Sequence, residues 1–326
     1  MLKIGETSPG VTKGKQVANG HASQSPERSS FSGLFDAIEL IHTMRGLRFK
    51  FGLGTYIPPE PRDTSNRVTF LRATVLTFLI NFLLLDFIET ITKLFPGVGT
   101  VQGGSIFYPS LPLPQRYVVS TIIHLMTGCA LLAGFNFVYD LITIIAVGLC
   151  GSSPTSWPPA VDNPWIADSM HNVWAKRWHQ FLRHTFLLLG GYPGKWLAGD
   201  LGLVLGTFIA SGLFHELAIY SMGRGFDHTV TFFFALQGPI LICERLWRRL
   251  TGRRVGGMPG RLWVYFVMFV GAQPMSMFFN DIRTLVNSLA ADSWHKRGLG
   301  GSMIIPPFVS PAKLMIPIIV QALKRT

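Results

Sequence analysis

Charge is scarce in this chain. Only 14% of its 326 residues are charged, against about 25% in an ordinary soluble domain. Acidic residues are scarcer still, 17 against 29 basic ones, giving a formal net charge of +12. The three cysteines, Cys129, Cys150 and Cys243, form no CxxC pair, so neither a disulfide framework nor a zinc ribbon is indicated. Their place inside apolar runs suggests small buried apolar residues. Residues 1–30 hold no apolar core of a signal peptide, and residues 1–33 read as a disordered polar tail. No internal repeat is evident.

Hydrophobic residues, by contrast, make up 48% of the chain. A spanning helix needs about 20 mostly apolar residues. Residues 69–91, 117–150, 196–221, 229–247, 261–280 and 303–322 all qualify. The run 117–150 has room for one tilted helix or for two short ones broken near Gly134. Basic stretches at 45–72, 171–195, 245–261 and 323–326 fall on one side if each run crosses once, which gives six crossings with the basic loops cytosolic. That clustering between apolar runs suits membrane topology rather than nucleic-acid binding. Arg245, Arg248, Arg249, Arg253 and Arg254 most simply set topology and meet lipid headgroups. Residues 34–44 are spaced as an amphipathic surface helix, with Leu34, Ile38 and Ile41 on one side. Pro154, Pro158, Pro159 and Pro164 exclude a regular helix from 151–168, and Trp157 and Trp165 there suit a bilayer interface. Gln273-Pro274 predicts a kink in the 261–280 run. The fold expected is an all-α polytopic helix bundle around a reaction chamber, formed by residues 34–326.

Two segments carry candidate chemistry. In Ser169 to His184, read as a helix, Trp174 and Trp178 lie one turn apart, and His179 shares a face with Arg183. Taken alone, such a basic and aromatic segment most simply anchors at headgroups. In the second segment, Ser211, Gly212, His215 and Glu216 fall inside an apolar run. A histidine and a glutamate there are costly and face a cavity or a partner. Histidine titrates near pH ~6.5, so His215 can take a proton from an alcohol. Arg183 or His179 can serve a developing oxyanion. Asp86 and Glu89, one turn apart in the first run, are better read as pairing with basic residues of another helix than as reaction groups.

Together the two segments resemble the wax synthase-like branch of the membrane-bound O-acyltransferases, which carries a stretch close to S-x-x-x-F-W-x-R-R-W-H-x-x-x-R. Ser169, Trp174, Arg177, Trp178, His179 and Arg183 match it, with Val173 and Lys176 as substitutions. Ser211, Gly212 and His215 match the later S-G-x-x-H of that branch. Superfamily members pair an Asn or His with a later invariant His at about the separation of His179 and His215, which are 36 positions apart. Arg45-Gly46 resembles the R-G-[IV]-G element of fungal relatives, many of which are acetyltransferases of terpenoid and meroterpenoid pathways. Relatives usually have further membrane helices before that element, where this chain has its polar tail.

The resemblance implies His215 as catalytic base and His179 as its assistant. It implies contacts to acyl-CoA or acceptor for Trp174, Lys176, Arg177, Trp178, Arg183, Ser211 and Glu216. It further implies an endoplasmic-reticulum membrane enzyme with no resident cofactor or metal, acyl-CoA as co-substrate, and an apolar alcohol acceptor entering from the bilayer. Acetyl transfer to a terpenoid hydroxyl is the reading favoured by the fungal-type elements. Wax ester synthesis from a long-chain alcohol is the alternative, and a non-enzymatic transporter or lipid-binding protein is the second. A di-iron desaturase needs histidine boxes with adjacent pairs. The nine histidines here include no such pair, and His179 and His184 are five apart.

Overall fold

The computed structural model describes residues 44–47, 49–98, 104–270, 310–313 and 315–316. The tail, the 34–44 helix up to its last residue, the Gln273-Pro274 kink and most of the 303–322 run lie outside the described residues. Among the described residues all regular structure is helical. Four helical stretches are long and apolar enough to cross a membrane. The fold is thus an all-α, multi-pass membrane helix bundle.

The long helices are α1 Arg67–Thr92, α2 Leu113–Ile144, α3 Tyr192–Ser221 and α4 Thr229–Thr251, followed by the short α5 Gly257–Tyr265. The chain divides into two compact units. One joins residues up to Tyr56 with Gln180–Thr185, and the other holds Ile57–His179 and everything from Phe186 onward. In the first unit, Arg45 lies over the Phe181 ring at 5.2 Å. Thr55 Oγ1 and His184 Nε2 are 2.8 Å apart. Gly46 turns the chain there at φ +64°, and an added Cβ would sit 2.7 Å from Gly52 Cα.

In the second unit, Asn66 caps α1 by accepting the Val68 and Thr69 N–H groups at 3.0 and 3.1 Å, two donors that a helix start leaves open. α2 is not broken at Gly134. It runs on into a π turn at Ile145–Leu149 and packs on α1 through stacked Phe78 and Phe137, 4.8 Å between centroids. Leucines such as Leu76, Leu79 and Leu83 stay exposed on the outer faces, as lipid contact requires. Cys150 and Cys243 are exposed and not buried as expected, while Cys129 is half-buried. Asp86 and Glu89 do pair with another segment. Asp86 accepts the Ser310 hydroxyl and the Ala312 N–H, the latter at 2.9 Å. Glu89 meets Lys313 at 2.9 Å and also Lys93.

The run 196–221 does not continue as one straight helix from its basic loop. The backbone leaves helical geometry at Ala198 and Gly199, the latter at φ +60°. The chain reverses there, so 187–197 and 200–221 form an antiparallel hairpin. Glycines make the close approach possible. A Cβ at Gly190 or Gly206 would collide with the other's carbonyl, and Gly194 and Gly202 are opposed in the same way. Each arm therefore carries a G-x-x-x-G face, the small-residue pattern by which membrane helices touch backbone to backbone. Lys195 and Asp200 meet across the tip at 4.0 Å. The second arm alone is about 33 Å long, enough to cross.

Candidate active site

The hairpin helps to place the two candidate histidines. In an antiparallel pair, facing positions are symmetric about the turn. Gly190 faces Gly206 and Gly194 faces Gly202, which centres the turn at 198. His215 lies toward the open end of the second arm, and His179, which precedes the first arm, is near enough for His215 to act on it electrostatically. His215 then stands about 23 Å beyond Asp200 along the second arm, beside Phe186 at 6.1 Å.

His215 is oriented by its own helix. Its Nδ1 lies 2.7 Å from the Ser211 carbonyl oxygen. A carbonyl only accepts, so Nδ1 carries the hydrogen. The neutral ring then presents Nε2 as a lone pair, which is the form a general base needs. Phe234 of α4 stacks on the ring at 4.3 Å and 18°. Ser211 thus serves through its backbone. Gly212 admits α4 itself: a Cβ there would lie 2.6 Å from the Thr231 carbonyl oxygen. Glu216 is fully buried. It accepts the Asp227 and Thr231 N–H groups at 3.1 and 3.4 Å, so it caps the start of α4 and fixes the helix that holds Phe234.

The basic and aromatic segment departs from the expected single helix. A turn at Met170–Asn172 passes into a π turn at Val173–Arg177, and Trp178 is extended at ψ 155°. The helix ends before His179, so His179 and Arg183 do not share a helical face. Arg183 belongs to the other compact unit. His179 instead packs against Phe135 at 4.9 Å and Trp178 at 5.2 Å. Trp178 continues to Trp174 at 6.4 Å, and Trp174 to Phe234 at 5.9 Å, so rings run from one histidine to the other. Arg177 is turned to the proline-rich loop. It donates to the Asp162 carbonyl at 2.8 Å and pairs with that carboxylate at 3.4 Å. Lys176 lines a separate cavity. The Trp157 indole donates to Ser152 Oγ at 2.9 Å.

Burial first, and the neighbouring His215 second, push His179 down from its usual 6.5 to about 4. At neutral pH it is a neutral ring. Below about pH 6.5 the unfolded chain takes up a proton that folded His179 refuses until about 4. Stability should therefore fall as pH drops through that window, with buried His171 adding in the same direction. Melting of the solubilised protein across pH 4–7 checks this, and His179→Phe should flatten the slope.

Two positioning residues on α4 escape sequence reading. Gln237, 2% exposed, accepts from Trp174 Nε1 at 3.2 Å and donates to the Phe233 carbonyl at 3.1 Å. Glu244 accepts the Met170 and His171 N–H groups at 2.8 and 2.9 Å and Trp263 Nε1 at 3.0 Å. Phe234, Gln237, Leu241 and Glu244 recur at steps of three and four, one face of a helix. That periodicity was the available signal, but Gln237 and Glu244 are polar, and a search for apolar stripes passes over them. Glu244→Ala strands three N–H groups and should cost about 3 kcal/mol. Glu244→Gln, which keeps an acceptor, should cost less in the same thermal assay.

Residues 157–236 match the profile of the membrane bound O-acyl transferase family. Acetyltransferase eriL of Hericium erinaceus is 26% identical over 249 residues, 70% of this chain and 63% of that protein. Acetyltransferase aurG of Calcarisporium arbuscula is 29% identical over 163 residues, 46% of this chain and 39% of its own length. A probable long-chain-alcohol O-fatty-acyltransferase 8 of Arabidopsis thaliana is 29% identical over 134 residues, 38% of this chain and 39% of that protein. The chain thus matches less than two thirds of the length of these curated relatives. No solved structure matches. The stretch that holds both histidines is thus similar to the membrane bound O-acyl transferase family.

Proposed function

We propose that this chain is an acyl-CoA-dependent O-acyltransferase of the endoplasmic-reticulum membrane, moving an acetyl group onto a hydroxyl of an apolar acceptor of the terpenoid or meroterpenoid kind. The observation that carries the reading is the tautomer of His215. The Ser211 carbonyl holds Nδ1–H and leaves Nε2 free to act as base. In the proposed reaction Nε2 takes the alcohol proton as the oxygen attacks the thioester carbonyl. The carbon–oxygen bond forms, the carbon–sulfur bond breaks, and the departing thiolate takes the proton back from Nε2. His179, neutral at physiological pH, is suited to donate one N–H to the carbonyl oxygen as charge develops on it. Transfer is direct, with no acyl-enzyme, and apolar surroundings limit thioester hydrolysis.

The acetyl assignment is supported by the names of fungal relatives such as eriL and aurG. A wax-ester reading is favoured by the plant relative, named for long-chain alcohols and fatty acyl groups. Microsomes from a host expressing the chain, given labelled acetyl-CoA or palmitoyl-CoA with terpenoid and fatty alcohols, separate the two. The expected product is a labelled acetyl ester of a terpenoid alcohol. A palmitoyl ester of a fatty alcohol instead would select the wax-ester reading, and no ester from any pair would refute both.

A further inference from the structure

Arg245 and Arg248 near the end of α4, and Arg254 just beyond it, line a cavity of about 580 Å³. Its wall carries four basic side chains, Lys176, Arg245, Arg248 and Arg254, against two carboxylates, Asp168 and Glu244. The carboxylates are engaged within the wall. Glu244 accepts three N–H groups, and Asp168 accepts Asn172 Nδ2 at 2.9 Å. Among the described residues, Arg245, Arg248 and Arg254 have neither a side-chain hydrogen bond nor an ion pair. Their fields converge on the cavity: Arg245, Lys176 and Arg254 each depress the pKa of His171 on its wall, after burial, while Glu244 opposes them. Clustered guanidinium groups facing an open hollow are the donor set that phosphate oxygens fit.

The position of the cavity adds a second argument. Arg248 continues the α4 face of Phe234, Gln237, Leu241 and Glu244. It stands about 21 Å along the axis from Phe234, the ring that stacks on His215. One helix therefore carries arginines of the cationic cavity at one end and, toward the other, the ring that stacks on His215. Topology alone needs basic residues on the right side of the membrane. It does not need them gathered around a hollow in register with the reactive histidine.

We propose that this cavity binds phosphate groups, and that its ligand is an elongated phosphorylated molecule whose far end reaches His215. The identity of that ligand as the acyl-CoA donor rests on the acyltransferase reading; the phosphate site does not. An anionic lipid headgroup presents the same chemistry from the bilayer.

The test uses the full chain in nanodiscs. In one arm the lipid is phosphatidylcholine only, and free coenzyme A is titrated by calorimetry. In the other, phosphatidylinositol is included without nucleotide, and lipid retention is read by native mass spectrometry. The double variant Arg248→Ala/Arg254→Ala should weaken one of the two tenfold or more. Arg249→Ala, which removes a charge from α4 outside the cavity, should change neither by more than twofold. Loss in the coenzyme A arm assigns a soluble donor, and loss in the lipid arm assigns a headgroup. Both outcomes support the site. Equal binding by the double variant and wild type in both arms, with matching melting temperatures, overturns it. His215→Ala should bind coenzyme A as wild type does. A chain that binds coenzyme A through these arginines but forms no ester keeps the site and loses the acyltransferase reading.

Discussion

His215→Ala should lower the rate of ester formation by about 10²–10⁴-fold, the usual contribution of a positioned general base. The protein should remain folded. His215 is only partly buried, and the ring makes its polar contact within its own helix, to the Ser211 carbonyl. Removing the ring therefore strands no buried partner from another element, and the Phe234 face it leaves is apolar. The melting temperature of the solubilised variant should stay close to wild type while the turnover collapses. His215→Gln fills the space without a basic nitrogen and should be equally inactive. Unchanged turnover in either variant would exclude His215 as the base.

Gly206→Leu should be the most damaging single change in the hairpin. A Cβ at this position already meets the Gly190 carbonyl, and that neighbour is backbone, which cannot rotate aside. The arms must separate, at a cost toward the upper end of the about 1–3 kcal/mol typical of overpacking. The effect on transfer should be larger than the effect on stability. Parting the arms shifts His215 relative to His179, and a misplacement of about 1 Å can cost 10²-fold in rate. Gly128→Ala in α2 is the control, since nothing lies within 4 Å of an added Cβ there and alanine favours helix over glycine. It should melt at or above the wild-type temperature with transfer intact. A Gly206→Leu protein that transfers at wild-type rate would show that the hairpin does not set the site.

Much of this was legible in composition and periodicity. The apolar runs located α1, α2 and α4 to within a few residues, because helix length in a membrane follows from bilayer thickness. The pairing of Asp86 and Glu89 with another segment followed from the cost of bare carboxylates among lipid. The hairpin was not read, because its signal is two facing sets of glycines. A hydropathy window averages Gly190, Gly194, Gly202 and Gly206 into one apolar run, whereas their meaning lies in the spacing. The basic and aromatic segment was read as one regular helix, and the π turn at Val173–Arg177 broke that register. Arg177 and Glu216 were expected as ligand contacts from the family resemblance. Their partners, Asp162 and the start of α4, are set by tertiary packing that no local pattern encodes. The 36-residue separation of the histidines was visible from the start, whereas the reversal of the chain at Ala198 and Gly199 within it was not.

The central claim is that His179 and His215 act on one bound substrate. A double-mutant cycle on kcat/KM for ester formation tests it most directly, using His179→Ala, His215→Ala and the double variant with matched melting temperatures. Residues that act as a unit are strongly non-additive. The account predicts that the double variant is scarcely slower than His215→Ala alone. Losses that simply multiply would place the two histidines in separate roles and contradict it.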